Sequence, residues 1–160
     1  MKENQSLEFL EGENRSYDEL TAKGNEFHFS ILEQKLKEQL GVSAINSDIL
    51  RTLGLLGADG KYKNAGALLA DENSFYRIDC ARFGDSIDII LDREIFENKS
   101  ILKQYDEAVA LYRKYYQYDE IEGALRKTVE LIPEKAFREA IANALVHRTW
   151  DVNSHIRIAM

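Results

Sequence analysis

A chain of 160 residues with 44% hydrophobic and 31% charged residues suits one compact domain, or a domain plus the edge of a second, and excludes wholesale disorder. The formal charge of -7 argues against binding nucleic acid by overall phosphate neutralisation, which needs a clustered Lys/Arg surface. The single cysteine, Cys80, rules out an intrachain disulfide and a zinc site built from four thiolates.

Residues 1–13 are polar and acidic, without the basic start and apolar stretch of a signal peptide. No run approaches the ~20 apolar residues of a membrane span. The expectation is a cytoplasmic protein with no membrane contact.

Over 27–40 the apolar residues Phe27, Ile31, Leu32 and Leu36 fall at helical spacing, and Gly41 is a natural stop. A second helix is predicted to open at Asn46 or Ser47 and to turn Ile49, Leu50, Leu53 and Leu56 inward. Ala58, Asp59 and Gly60 form a turn, and Asn64 is predicted to cap a short helix through Ala70. A β-hairpin follows, with strands at 75–83 and 87–91 about a turn at 84–86. The isoleucines of its second strand predict burial.

Leu102, Tyr105, Val109, Tyr112 and Tyr116 step by three and four residues and draw one apolar stripe along a helix, with Tyr105, Val109 and Tyr112 expected to be buried. Residues 121–131 read as one strand or a pair. Pro133 suits the first turn of a helix running to about Arg148. At 155–160 the alternation places Ile156 and Ile158 on one side of a half-buried strand.

The helix PEKAFREAIANALVHR is the most informative element. Ala136, Phe137, Ala140, Ile141, Ala144 and Leu145 form one wide apolar face, while Glu139, Asn143 and His147 succeed one another by single turns on another stripe. Such a stripe could present a carboxylate, an amide and an imidazole to one ligand. The carboxylate can orient a water, and the amide oxygen is a hard ligand suited to Mg²⁺ on phosphates. A solvated polar face would look the same.

Other residues carry less. His28, His147 and His155 with Cys80 have no recognisable metal spacing. Tyr112, Tyr115, Tyr116 and Tyr118 could stack bases, but few cations flank them, and core plus rim is the simpler reading.

The segment LIPEKAFREAIANALVHRTWDVNSHIRIAM resembles the start of the ATP-binding module shared by gyrase B, the ninety-kilodalton heat-shock chaperones, sensor histidine kinases and MutL, whose first helix carries E-x-x-x-N. Here Glu139 and Asn143 match. The NALVHR variant is similar to the divergent form in RecG-related bacterial transcriptional regulators, which pair it with an upstream Schlafen-type AlbA domain. YDEL at 17–20, GKYKNAGALLADENSF at 60–75, CARF at 80–83 and the opening of the helix at 102–105 resemble the region connecting those modules.

The resemblance implies an α+β fold: a helical segment and β-hairpin with a long amphipathic helix, then the first helix and strand of an incomplete ATP-binding α/β sandwich. It divides the chain into an N-terminal helical linker (1–42), a middle region (43–131) and the truncated start of an ATP-binding lobe (132–160). It implies that Asn143 holds Mg²⁺, that Glu139 positions or activates water, and that His147 stands beside the nucleotide. ATP and Mg²⁺ are expected in the intact parent but not on this chain alone, because the glycine turn and lid of the family would follow Met160. The implied role is nucleotide-responsive control of transcription or another DNA transaction, with DNA reached through a module absent from this chain. Two other readings stay open. The helix from Ser47 with its glycine turn could belong to a winged helix that binds DNA, and the middle region could be a homodimerisation platform with no nucleotide role.

Overall fold

The computed structural model describes residues 16–75, 77–152 and 154–160. The start of the expected N-terminal linker, with Tyr76 and Asn153, lies outside the described residues. The fold is α+β, as expected: five helices and five strands among the described residues, after a 3-10 turn at Tyr17–Glu19.

Helix α1 (Ser30–Leu40) begins three residues later than its apolar spacing suggests. The reason is a distant cap. The carboxylate of Asp71 accepts from the amides of Ser30 and Ile31 at 2.8 and 2.9 Å, which fixes the start there. Phe27 stays outside the helix and meets Tyr62 edge-on. Gly41, in the left-handed region at φ 69°, closes the other end by donating to the carbonyls of Leu36 and Lys37.

Helix α2 (Ser47–Thr52) is capped by Asn46, whose side chain accepts from the amides of Asp48 and Ile49. It is short, so Leu50 and Leu56 are buried but Leu53, past its end, is 44% exposed rather than inward. Helix α3 (Asn64–Leu69) is not capped by Asn64. That residue is buried inside the first turn, where its side-chain amide donates to the carbonyl of Tyr17 at 2.8 Å. These helices close one apolar cluster around Phe29, Leu32, Leu50, Leu55, Leu56 and Ala70.

The second cluster forms beneath a three-stranded sheet of order β2-β1-β5. Strands β1 (Ile78–Phe83) and β2 (Ile90–Phe96) are antiparallel, and β5 (Ile156–Ala159) runs parallel to β1 with Ile78 beside Ile156 and Cys80 beside Ile158. Strand β2 therefore lies further along than the isoleucine run at 87–91. That run forms the hairpin's end, and Ile87, Ile89, Ile90 and Leu91 are exposed, overturning the expected burial. The register decides this: Ile78 pairs with Phe96, so alternation carries Phe96, not the isoleucines, to the core face.

Helix α4 (Ile101–Tyr116) follows the predicted stripe. Val109 and Tyr112 are buried with Gln104, Ala108 and Leu111, while Tyr105 is half-buried, its ring lying under the guanidinium of Arg138. The chain passes without a break from α4 into a ribbon of two strands, β3 (Gln117–Glu122) and β4 (Leu125–Glu130). Helix α5 (Glu134–Val146) comes next, with Pro133 as its N-cap and His147 as its C-cap. It lies against α4, so Ile141, Leu145 and Trp150 share a core with Leu68, Ile78, Cys80, Phe96, Ala108 and Leu111. No helix is long and apolar enough to cross a membrane among the described residues.

Candidate functional site

The rotation of α5 about its axis is set by two kinds of contact on one side. Ile141 and Leu145 are buried, and Phe137 stacks on Tyr112 with ring centroids 4.7 Å apart. On the same side, the carboxylate of Glu134 accepts from Arg113 at 2.5 and 2.9 Å and from Gln117 at 2.9 Å. Those bonds, Arg113's first, outweigh desolvation and hold the Glu134 carboxyl below its ordinary range. Arg138 completes this flank by donating to the hydroxyl of Tyr105 at 2.9 Å.

At about 100° per residue, the arc from Phe137 to Arg138 points to the core and Asn143 points about 180° away. Glu139 and His147 fall to either side of it. All three predicted site residues are exposed, and none makes a side-chain hydrogen bond or ion pair among the described residues. The structure thus brings them together on one outward stripe. It also corrects the expected apolar face. Ala136 and Ala140 are exposed, because the buried edge is centred on Ile141 and Leu145 rather than on the alanines. A surface of small side chains therefore borders the stripe, where a ligand or another segment can approach the helix closely.

The loop after α5 is tied by residues that spacing did not single out. The guanidinium of Arg148 lies 4.7 Å from the Trp150 ring and donates to the carbonyl of Ser154. Trp150 is buried and meets Phe75 edge-on. A lone tryptophan just past a helix was the signal available, since so large an apolar ring is placed inside whenever the fold allows. Through this loop, the C-terminal end of the stripe is held close to strand β5.

Cys80 is buried. Burial, then Asp79 and Glu94, pushes its thiol up to about 12, and the thiolate is what reacts. No cluster of three or more His, Cys, Asp or Glu side chains able to hold a metal occurs among the described residues. The features named for a winged helix are small: α2 is six residues long, its Arg51 pairs with Asp48, and α3 carries no charged side chain and is mostly buried.

No family model and no curated protein matches the sequence. Among solved structures, the chain is similar to the DIP2311 protein from Corynebacterium diphtheriae, with a TM-score of 0.70 and 26% identity over 90% of this chain. The chain spans 31% of that protein's length.

Proposed function

We propose that α5 carries the metal and phosphate end of an ATP site, in a cytoplasmic, RecG-related regulator whose nucleotide state controls transcription or another DNA transaction. One observation carries this reading: Glu139, Asn143 and His147 form a stripe opposite the buried edge of α5, without partners among the described residues, beside exposed Ala136 and Ala140. A helix that only needed solvation would gain from pairing its charges, as Glu134 and Arg138 do on the other flank. The E-x-x-x-N spacing supports the assignment of roles.

In this reading the amide oxygen of Asn143 is one ligand of Mg²⁺, an octahedral ion that draws its remaining ligands from phosphates and water. Glu139, one turn earlier, orients water toward the phosphate, and His147 lies at the other side of the amide. The helix supplies one carboxylate, one amide and one imidazole, which cannot alone offset immobilisation of a polyanion and desolvation of its phosphates. A complete site would therefore need further ligands for the nucleotide, and in this reading the contact to DNA is made by another module.

The test is calorimetric titration with ATP and Mg²⁺. The 160-residue chain should give little heat. A protein that continues past Met160 through a glycine turn and lid should bind, and Asn143→Ala should abolish the Mg²⁺-dependent part. Glu139→Ala should spare binding and remove any hydrolysis. Binding indifferent to Asn143→Ala would overturn the assignment.

A further inference from the structure

We propose that the protein self-associates by laying the β3–β4 ribbon of one copy on the face of the three-stranded sheet turned away from α4 and α5 in another. The inference is independent of the nucleotide reading. It starts from two surfaces that the described residues leave open.

The first is the ribbon. Among the described residues its strands pair only with each other, and every residue from Tyr118 to Thr128 is exposed, with Ile121 at 82% and Leu125 at 74%. A two-stranded hairpin alone in water is marginally stable. Cross-strand pairing puts Tyr118, Glu120, Glu122 and Leu125 on one side of it, with Lys127 opposite Glu120 and Glu122 directly opposite Leu125. Residues 118–125, the outer part of the ribbon, hold three carboxylates and no cation.

The second surface is the side of the sheet turned away from α4 and α5. Alternation places Asp79, Ala81, Arg93, Ile95, Arg157 and Ala159 there, and Ile95 and Ile90 are 39% and 55% exposed. A concavity of about 250 Å³ opens there, where Ala81, Phe83, Ile90, Ile158 and Ala159 meet two guanidiniums, Arg93 and Arg157, and the one carboxylate of Asp79. Arg93 takes up both oxygens of the Asp79 carboxylate, so Arg157, which acts on that carboxylate only through its charge, keeps its donors without a hydrogen bond or ion pair among the described residues.

The two surfaces are complementary in polarity and sign. An apolar concavity flanked by a guanidinium faces a ribbon side that carries a leucine beside a glutamate. Leu125 fills the concavity and Glu122 meets Arg157. Each contact joins unlike surfaces, and reciprocal exchange of ribbons about a two-fold axis closes two copies into a dimer. Like charge on the whole chain opposes association, so the contact strengthens as salt screens long-range repulsion until the local pair is screened as well.

Light scattering over a concentration series of the full chain should show a concentration-dependent shift from monomer to dimer. Glu122→Arg and Arg157→Glu should each weaken dimerisation about five-fold, and the double variant should regain most of the loss. Leu125→Asp should abolish it. Glu122 and Leu125 are exposed and Arg157 lies outside the core, so thermal unfolding at concentrations where the parent is monomeric should be unchanged. As a second measurement, Leu125→Cys and Ala159→Cys proteins, mixed and oxidised, should yield more mixed disulfide than either self-pair. A monomer at every concentration, a dimer indifferent to these substitutions, a double variant no better than the singles, or no excess of mixed disulfide overturns the proposal. A monomer whose residues 1–13, rich in glutamate, cross-link to the face bearing Arg157 would show that the chain covers the sheet itself, and overturns it too.

Discussion

The phenol ring of Tyr112 lies against Phe137, centroids 4.7 Å apart and planes 25° apart, and its hydroxyl donates to the backbone carbonyl of Ile132. One fully buried side chain thus joins α4 to α5 and to the end of the ribbon. Burial, then Glu130 and Glu134, pushes the phenol above its ordinary range, so it remains a donor well above neutral pH. Tyr112→Ala should cost ~3 to 5 kcal/mol, the range for truncating a buried aromatic. Tyr112→Phe keeps the ring and should cost only ~1 kcal/mol, since Ile132 is partly exposed and its carbonyl can turn to water. Urea denaturation followed by circular dichroism measures both; an alanine variant as stable as the phenylalanine one would show that packing on Phe137 contributes little.

The cap of α1 makes a pH-dependent contribution. The carboxylate of Asp71 reaches back to the amides of Ser30 and Ile31, 41 and 40 positions earlier in the chain. Burial raises the Asp71 carboxyl, but the bonds from Ile31 and Ser30 outweigh it and hold the carboxyl below its ordinary range. A carboxyl lowered by folding stabilises the native state above its unfolded value, about pH 4, and loses that contribution as pH falls through the lowered value. Asp71→Ala should therefore cost ~1 to 2 kcal/mol at neutral pH and progressively less in acid, as pH falls through the lowered value. Equal destabilisation at neutral and acid pH would mean that the cap acts through packing rather than charge.

Asp79 and Arg93 pose the same question on the open face of the sheet. Arg93 donates to both carboxylate oxygens, at 2.9 and 2.6 Å, and this holds Asp79 below its ordinary range against desolvation. The carboxylate side chain is 10% exposed and the guanidinium 50%. Removing the acid leaves a cation that water can reach, whereas removing the base strands a nearly buried anion. Arg93→Ala should thus lower the midpoint of thermal unfolding further than Asp79→Ala does. Melting the two variants side by side compares them directly, and the reverse order would contradict the burial argument.

Much of the helical part of the fold was legible because its signals are local. The three-and-four spacing from Leu102 to Tyr116 needs only one buried side to produce α4, and Gly41 and Asn46 act on amides or carbonyls within about a turn of themselves. The misplaced elements share a different cause. Asn64 has the chemistry of a cap, yet the carbonyl of Tyr17 recruits its side chain from far along the chain. The isoleucines at 87–91 have the composition of a buried strand, but the pairing of Ile78 with Phe96 sets which side chains turn inward. Neither the parallel pairing of β5 with β1 nor the capping of α1 by Asp71 leaves a mark near the residues concerned. The stripe of Glu139, Asn143 and His147 was visible as spacing, while its outward direction followed only from the burial of Ile141 and Leu145.

That outward direction separates stability from function on a single helix. Glu139 and Asn143 are exposed and without partners among the described residues, so the folded state gains little from their side chains. Alanine is the better helix former at both positions, and the difference is larger for asparagine, whose amide competes for backbone bonds. Glu139→Ala and Asn143→Ala should leave stability within ~0.5 kcal/mol of the parent, with Asn143→Ala on the stabilising side. The buried side of the same helix behaves differently: Ile141→Ala and Leu145→Ala should each cost ~2 to 5 kcal/mol by emptying the core beneath the sheet. Chemical denaturation of the four variants under one set of conditions makes the comparison. A gain from Asn143→Ala would follow from helix propensity and show that the amide is dispensable to the fold, as the proposed ligand role requires. A loss of ~2 kcal/mol at Asn143 would instead make the stripe structural and remove the observation on which the nucleotide reading rests.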